Sequence, residues 1–132
     1  MRMAELNEWM RQLGGEVDLG IARKMGTIAV EITTELFKRT PVDTGRARLG
    51  WRVTLDAPST DEPGRGSSEG DPISMAIGVK LRATSSERPI YIVNNVPYIG
   101  ILNAGSSRQA PAGFVQASVL TGAARARHVR VL

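Results

Sequence analysis

Seven residues, Thr40-Pro41-Val42-Asp43-Thr44-Gly45-Arg46, divide this chain into two regimes of patterning. Before them, apolar residues recur at helical spacing. After them, apolar and polar residues alternate. Pro41 fixes its own φ and pushes Thr40 out of the helical region, so a helix must end there. Asp43 and Thr44 can bond nearby backbone groups, and Gly45 can take φ > 0 without steric cost. The segment therefore reads as helix stop, tight turn and strand start.

Upstream, Leu6, Trp9, Met10 and Leu13 fall at i, i+3, i+4 and i+7, which predicts a short helix within 1–15 ended by Gly14-Gly15. Val17, Ile21, Met25, Ile28, Ile32 and Leu36 then predict a long amphipathic helix over about 17–39. Gly20 and Gly26 inside it each cost about 1 kcal/mol relative to Ala. Close approach of another backbone would give such a residue a purpose.

Downstream, Ala47, Leu49, Trp51, Val53 and Leu55 alternate with Arg48, Gly50, Arg52 and Thr54, predicting a half-buried strand with an arginine-bearing outer face. Residues 56–71 are too polar for a core and predict a long mobile loop. Ile73, Met75, Ile77 and Val79 alternate again, predicting a second strand that pairs with the first as a hairpin. Arg82 to Arg88 reads as a polar turn, and Ile90-Tyr91-Ile92-Val93 as a strand buried on both faces. Pro97 opens a short helix through Tyr98, Ile99, Ile101 and Leu102, which Gly105 ends. A last helix is predicted over about 111–124, followed by a basic, frayed tail over 125–132. The expectation is one α+β domain over 1–132, with a long N-terminal helix on an antiparallel sheet of three to four strands.

The search for catalytic chemistry is unproductive. There is no cysteine and one histidine, His128, so the donor set for a thiolate or imidazole metal site is missing. Gly64 to Gly70 is glycine-rich but lacks the Lys-Ser/Thr ending of a phosphate loop, and a strand pattern follows it. Asp56, Asp61, Glu62, Glu69 and Asp71 do not match calcium-loop spacing and read as a solvated loop. Ser106, Ser107 and Arg108 lack a nucleophile elbow, and His128 lacks a neighbouring carboxylate. No cofactor or metal is implied, and the chain reads as non-enzymatic. No apolar run approaches the length of a membrane span, and the first five residues lack the apolar core of a secretion signal. The net charge is +4, carried mostly by arginine. Arginine suits forked contacts with carboxylates and phosphates, but +4 is modest for a dedicated DNA binder. Arg48, Arg52, Arg125, Arg127 and Arg130 are the charges available for DNA or an acidic partner. An edge blunted by charge against aggregation is the competing explanation for the strand arginines.

Pro41 to Arg46, followed by a strand carrying Trp51, resembles the "PVDTGR" turn of siphophage tail-completion proteins, which are head–tail joining (neck) proteins of lambda-like long-tailed bacteriophages. Residues 90–98 resemble that family's final strand and the start of its short helix. Residues 103–113 are similar to its "E-x-G-x-S-x-Q-A-P-x-G" segment, with Asn103 where the family carries glutamate. The resemblance spans roughly 17–120. It implies a structural virion protein, made in the host cytoplasm, that assembles as a ring, usually of six copies. Such a ring sits between the capsid connector or stopper protein and the tail terminator or tail-tube protein, and surrounds the double-stranded DNA channel. Six copies would carry a formal +24, spread over outer surfaces as well as the lumen. Subunit or partner contacts are expected from Pro41, Asp43, Thr44, Gly45, Arg46, Tyr98, Ser107, Arg108, Gln109, Ala110 and Pro111. The alternative roles are a tail terminator ring capping the tail tube, a small nucleic-acid-binding protein, and, more remotely, a hydrolase using the Ser106–Arg108 loop.

Overall fold

One helix carries the rest of the molecule. In a computed structural model, which describes residues 2–41, 46–61, 71–105 and 111–127, α1 runs unbroken over Met3–Arg39. Glu5 accepts a hydrogen bond from the Arg2 amide at its start (3.2 Å). The expected stop at Gly14-Gly15 does not occur. Neither glycine takes φ > 0, the conformation a C-terminal glycine cap requires. The apolar stripe Leu6, Met10, Leu13, Val17, Ile21 stays in phase across the pair, so one helix serves both halves.

The remaining elements are α2 (Arg46–Leu49), β1 (Trp51–Leu55), α3 (Pro72–Arg82), β2 (Ile90–Asn94), α4 (Ile99–Asn103) and α5 (Phe114–Ala126). The fold is α+β. Its sheet has two strands rather than three to four, β1 antiparallel to β2 in register from Trp51 opposite Asn94 to Leu55 opposite Ile90. The first predicted strand begins late because Arg46–Leu49 is a helical turn, closed by the Gly50 amide on the Ala47 carbonyl (3.2 Å). The second predicted strand is instead α3, so β1 and β2 are joined by a helical crossover and not by a hairpin. Asp71 caps α3 by accepting from the Ile73 amide (3.2 Å), and Pro72 occupies its first turn. Its buried positions, Pro72, Ala76 and Val79, follow i, i+4, i+7. The alternation of Ile73, Met75, Ile77 and Val79 was incidental to that face. β2 is half-buried along its length instead of enclosed on both sides.

The core centres on Val53, Ala76 and Val79, with Val30, Leu55, Met75, Ile90 and Ile92 packed against them. It lies where α1, α3 and the sheet meet, and α5 runs antiparallel to α1 on a neighbouring face. The face of α1 that disappears into the body is small: Ala22, Gly26, Ala29 and Thr33, with Leu36. That is about a quarter-turn away from the stripe expected to be buried, and Val17 and Ile21 are exposed. Close helix packing explains the rotation. A Cβ on Gly26 would lie 3.0 Å from the Lys80 Cα of α3, the backbone approach anticipated for an internal glycine. Gly20, by contrast, faces open space. On the α5 side the small residue is Gly122, where a Cβ would fall 2.5 Å from the Ile32 Cα.

Candidate functional site

The end of α1 is built as a locked corner. Thr40 leaves the helix with φ −70° and ψ 131°, as a residue before proline must. Its amide still donates to the Leu36 carbonyl (3.0 Å), and its hydroxyl donates to the same oxygen (2.6 Å). That hydroxyl also accepts from the Trp51 indole Nε1 at 2.8 Å. Both side chains are buried, so one hydroxyl satisfies the indole and ties the start of β1 to the end of α1. Arg48 completes the corner. Its guanidinium donates to the Thr40 carbonyl (Nε 3.1 Å, Nη2 3.0 Å) and to the Lys38 carbonyl (3.2 Å), and lies 5.4 Å from the centre of the Phe37 ring. A cation on the last carbonyls of a helix also meets the negative end of its dipole.

Asn94 donates to the Ala47 carbonyl (2.8 Å), and Arg52 donates to the Leu49 carbonyl (2.7 Å) and pairs with Asp61 (3.1 Å). Sequence patterning puts Arg48 and Arg52 on the outer face of one strand. The structure instead places Arg48 on the α2 turn and leaves Arg52 only 5% exposed. Trp51, Arg52 and Val53 are all buried, so this strand has no polar outer face at its start.

A second corner joins α4 to α5. Gly105 (φ 99°) and Gly113 (φ 77°) both sit in the left-handed region that favours glycine. The Gly113 amide donates to the Asn103 carbonyl (2.7 Å). The Asn103 side chain accepts from the Val115 amide (3.0 Å) and donates to Gln116 Oε1 (3.1 Å). Gly113 has no side chain to cap α5, and Asn103 supplies the cap from across the loop. Where the resembling family carries glutamate, this chain therefore carries a capping amide. Tyr98 opens α4, with its carbonyl accepting from the Leu102 amide (3.1 Å), and Pro111 is exposed. Because α5 is antiparallel to α1, with Thr121 against Arg39 (3.0 Å) and Ala126 against Lys24 (2.5 Å), Phe114 lies level with Thr40. Both corners occupy the same end of the molecule.

Of the other sequence-predicted positions, Asp43, Thr44, Gly45, Ser106, Ser107, Arg108, Gln109, Ala110, His128 and Arg130 lie outside the described residues, as does most of the 56–71 loop with Glu62 and Glu69. The Arg46 side chain lies outside them too, and Pro41 is buried. The described acidic residues of the loop serve local structure. Asp71 caps α3, Asp61 pairs with Arg52, and Asp56 takes a forked hydrogen bond from Arg88 (Nε 3.0 Å, Nη2 2.6 Å). Arg88 holds the Asp56 carboxyl below the ordinary carboxylate range, chiefly by that hydrogen bond. Among the described residues, no group of three or more His, Asp or Glu is placed to hold a metal ion. Arg125 and Arg127 are exposed.

Two features escaped the sequence reading. Glu35 is buried, 3% exposed, and is ringed by Arg125 Nη1 (2.6 Å), Arg39 Nε (3.3 Å) and Lys38 Nζ (3.8 Å), linking α1 to α5. The i, i+4 pairing of Glu35 with Arg39 was the available signal, but the spacing cannot announce that α5 would bury it. Asp18 accepts from the Ser86 amide (3.0 Å) and the Ser86 hydroxyl, pinning the loop after α3 to α1. Those two bonds lower the Asp18 carboxyl, the hydroxyl contributing most.

No family model, no curated protein and no solved structure matches this chain. No helix among the described residues is long and apolar enough to cross a membrane.

Proposed function

We propose that this protein is a structural component of a long-tailed bacteriophage neck, a ring of identical copies that joins the capsid connector to the tail around the DNA exit channel. The observation that carries this reading is the pair of motif segments, 40–46 and 103–113, standing in the order and separation found in tail-completion proteins. The geometry supports it. Each segment adjoins a corner held by internal hydrogen bonds, through Thr40, Trp51 and Arg48 at one and Asn103 and Gly113 at the other. Corners already fixed in the free subunit lose little conformational entropy on docking. Two corners on one end of α1 give a single rigid rim for a neighbour or an adjacent ring. The work proposed is structural and involves no turnover.

DNA must slide through such a channel. Arginine–phosphate contacts are independent of sequence, and a few per copy attract the duplex without arresting it. The exposed Arg127 is suited to that part, whereas Arg125 is paired with Glu35. The test is deletion of the gene from its phage. Filled heads and unattached tails are expected, with joining restored by the protein supplied from a plasmid. Normal joined particles without it would refute the proposal.

A further inference from the structure

One edge of the sheet stands open among the described residues. The Asp56 amide donates to the Pro89 carbonyl (2.8 Å), which makes Asp56 and Pro89 a hydrogen-bonded pair. Such pairs alternate along an antiparallel ladder. In this register Thr54 with Tyr91 and Arg52 with Val93 are the next two, so Ile90, Ile92 and Asn94 turn their amides and carbonyls away from β1. Among the described residues, no backbone hydrogen bond reaches those three from the outer side. All of β2 is half-buried, even Ile90 and Ile92, which pack on the core. Natural edges are blunted by charge, proline or a bulge. Ile90–Asn94 has none of these. Ile-Tyr-Ile-Val is the chain's longest run of β-branched and aromatic residues, and its register against β1 is unbroken.

We infer that this edge pairs with the same edge of a second copy of the chain, antiparallel about a two-fold axis at Ile92. That register sets Ile90 opposite Asn94 and Ile92 opposite itself. Every outward amide and carbonyl is then matched, with two bonds in each facing pair. The strand is uncharged, so two copies meet without repulsion. Other segments of the chain fit the edge less well. Residues 62–70 and 106–110 contain no β-branched or aromatic residue, and 42–45 is a short tether between Pro41 and α2. The tail 128–132 follows α5, which ends beside Lys24, about 120° around α1 from Val30 and the sheet.

A two-fold contact joins like patches and closes on itself, so it makes a pair. It lies beyond the ring reading, which needs a contact between unlike patches and stands or falls separately. A five-residue strand pair is small for a specific interface, so the association is weak and is read at high concentration.

The experiment combines disulfide trapping with sedimentation velocity on the purified full chain at about 300 μM, where a small interface is populated. The parent should show a dimer. Tyr91 of one copy faces Val93 of the other as a non-hydrogen-bonded pair, whose side chains lie closest. Because the chain has no cysteine, Tyr91→Cys mixed with Val93→Cys should cross-link on mild oxidation as a hetero-pair, in preference to either homodimer. Tyr91→Glu/Val93→Glu sets acid against acid across the axis and should weaken association at least about 10-fold. Tyr91→Lys/Val93→Glu sets lysine against glutamate and should restore it to within about 3-fold of the parent. In both variants position 93 stays opposite Arg52 of the same chain, so circular dichroism should match the parent. A monomeric parent, homodimers as the main cross-linked product, or a Lys/Glu variant as impaired as the double glutamate would each overturn the pairing. So would an internal bridge in Val93→Cys/Val131→Cys, which would put the chain's own tail on the edge. A monomer found at the neck would overturn this pairing and spare the ring reading. A dimer absent from virions would do the reverse.

Discussion

Replacing Thr40 with valine tests whether the corner depends on one hydroxyl. Valine matches threonine in shape, so the change removes the oxygen and little else. Two bonds disappear: Trp51 Nε1 to Thr40 Oγ1 (2.8 Å) and Thr40 Oγ1 to the Leu36 carbonyl (2.6 Å). Their consequences differ. The Leu36 oxygen keeps the Thr40 amide (3.0 Å), so its loss amounts to one ordinary bond, about 0.5–1.5 kcal/mol. The indole N–H is left buried with no acceptor, which costs about 1–3 kcal/mol. The sum is roughly 2–4 kcal/mol, and in a domain of this size the melting temperature should fall by about 8–15 °C. Thr40→Ser keeps the oxygen and should cost about 1 kcal/mol or less. Urea unfolding followed by tryptophan fluorescence suits the measurement, because Trp51 is buried and Trp9 is already exposed. A valine variant within about 0.5 kcal/mol of the parent, or a serine variant as damaged as the valine one, would refute the reasoning.

Other consequences can be measured on the same protein. Gly122→Ala places a Cβ 2.5 Å from the Ile32 backbone and should cost about 3 kcal/mol or more, whereas Gly20→Ala meets open space and should gain about 0.5–1 kcal/mol; denaturant midpoints separate the two. Asn103→Ala removes the cap of α5 and should cost about 1 kcal/mol, with Asn103→Asp close to the parent in thermal melts. Asp18 and Asp56 are both held below the ordinary carboxylate range, by Ser86 and Arg88 respectively. Their stabilisation is therefore complete above about pH 5 and is lost as pH falls below about 4 through their lowered folded values. Urea midpoints should decline over that window, and less steeply in the Asp18→Asn/Asp56→Asn double variant; midpoints that rise toward pH 3 would contradict this.

What the sequence disclosed depended on whether a signal was local. The end of α1 was legible because Pro41 acts on its own neighbour. β2, α4 and its glycine stop, and α5 were legible for similar reasons. The region 72–82 was misread because alternation was counted over a segment whose decisive marks were Asp71, a helix cap, and Pro72, a first-turn proline. The buried face of α1 was misread because apolar size was taken as the sign of burial. Ala22, Gly26 and Ala29 lie inside, and at Gly26 the Lys80 backbone of α3 approaches too closely for a side chain, which depends on a partner far along the chain. The arginines show the same limit. Patterning gave Arg48 and Arg52 to solvent, yet both close hydrogen bonds within the corner. The Thr40–Trp51 bond spans eleven residues and becomes visible only when helix and strand are set side by side.

The neck ring is tested most directly by locating the protein in the assembled virion. Cryo-electron microscopy of particles carrying a C-terminal label on this chain should show label density confined to the junction of connector and tail, in a closed ring around the channel. Label spread along the tail tube, or absent from purified particles, would contradict it.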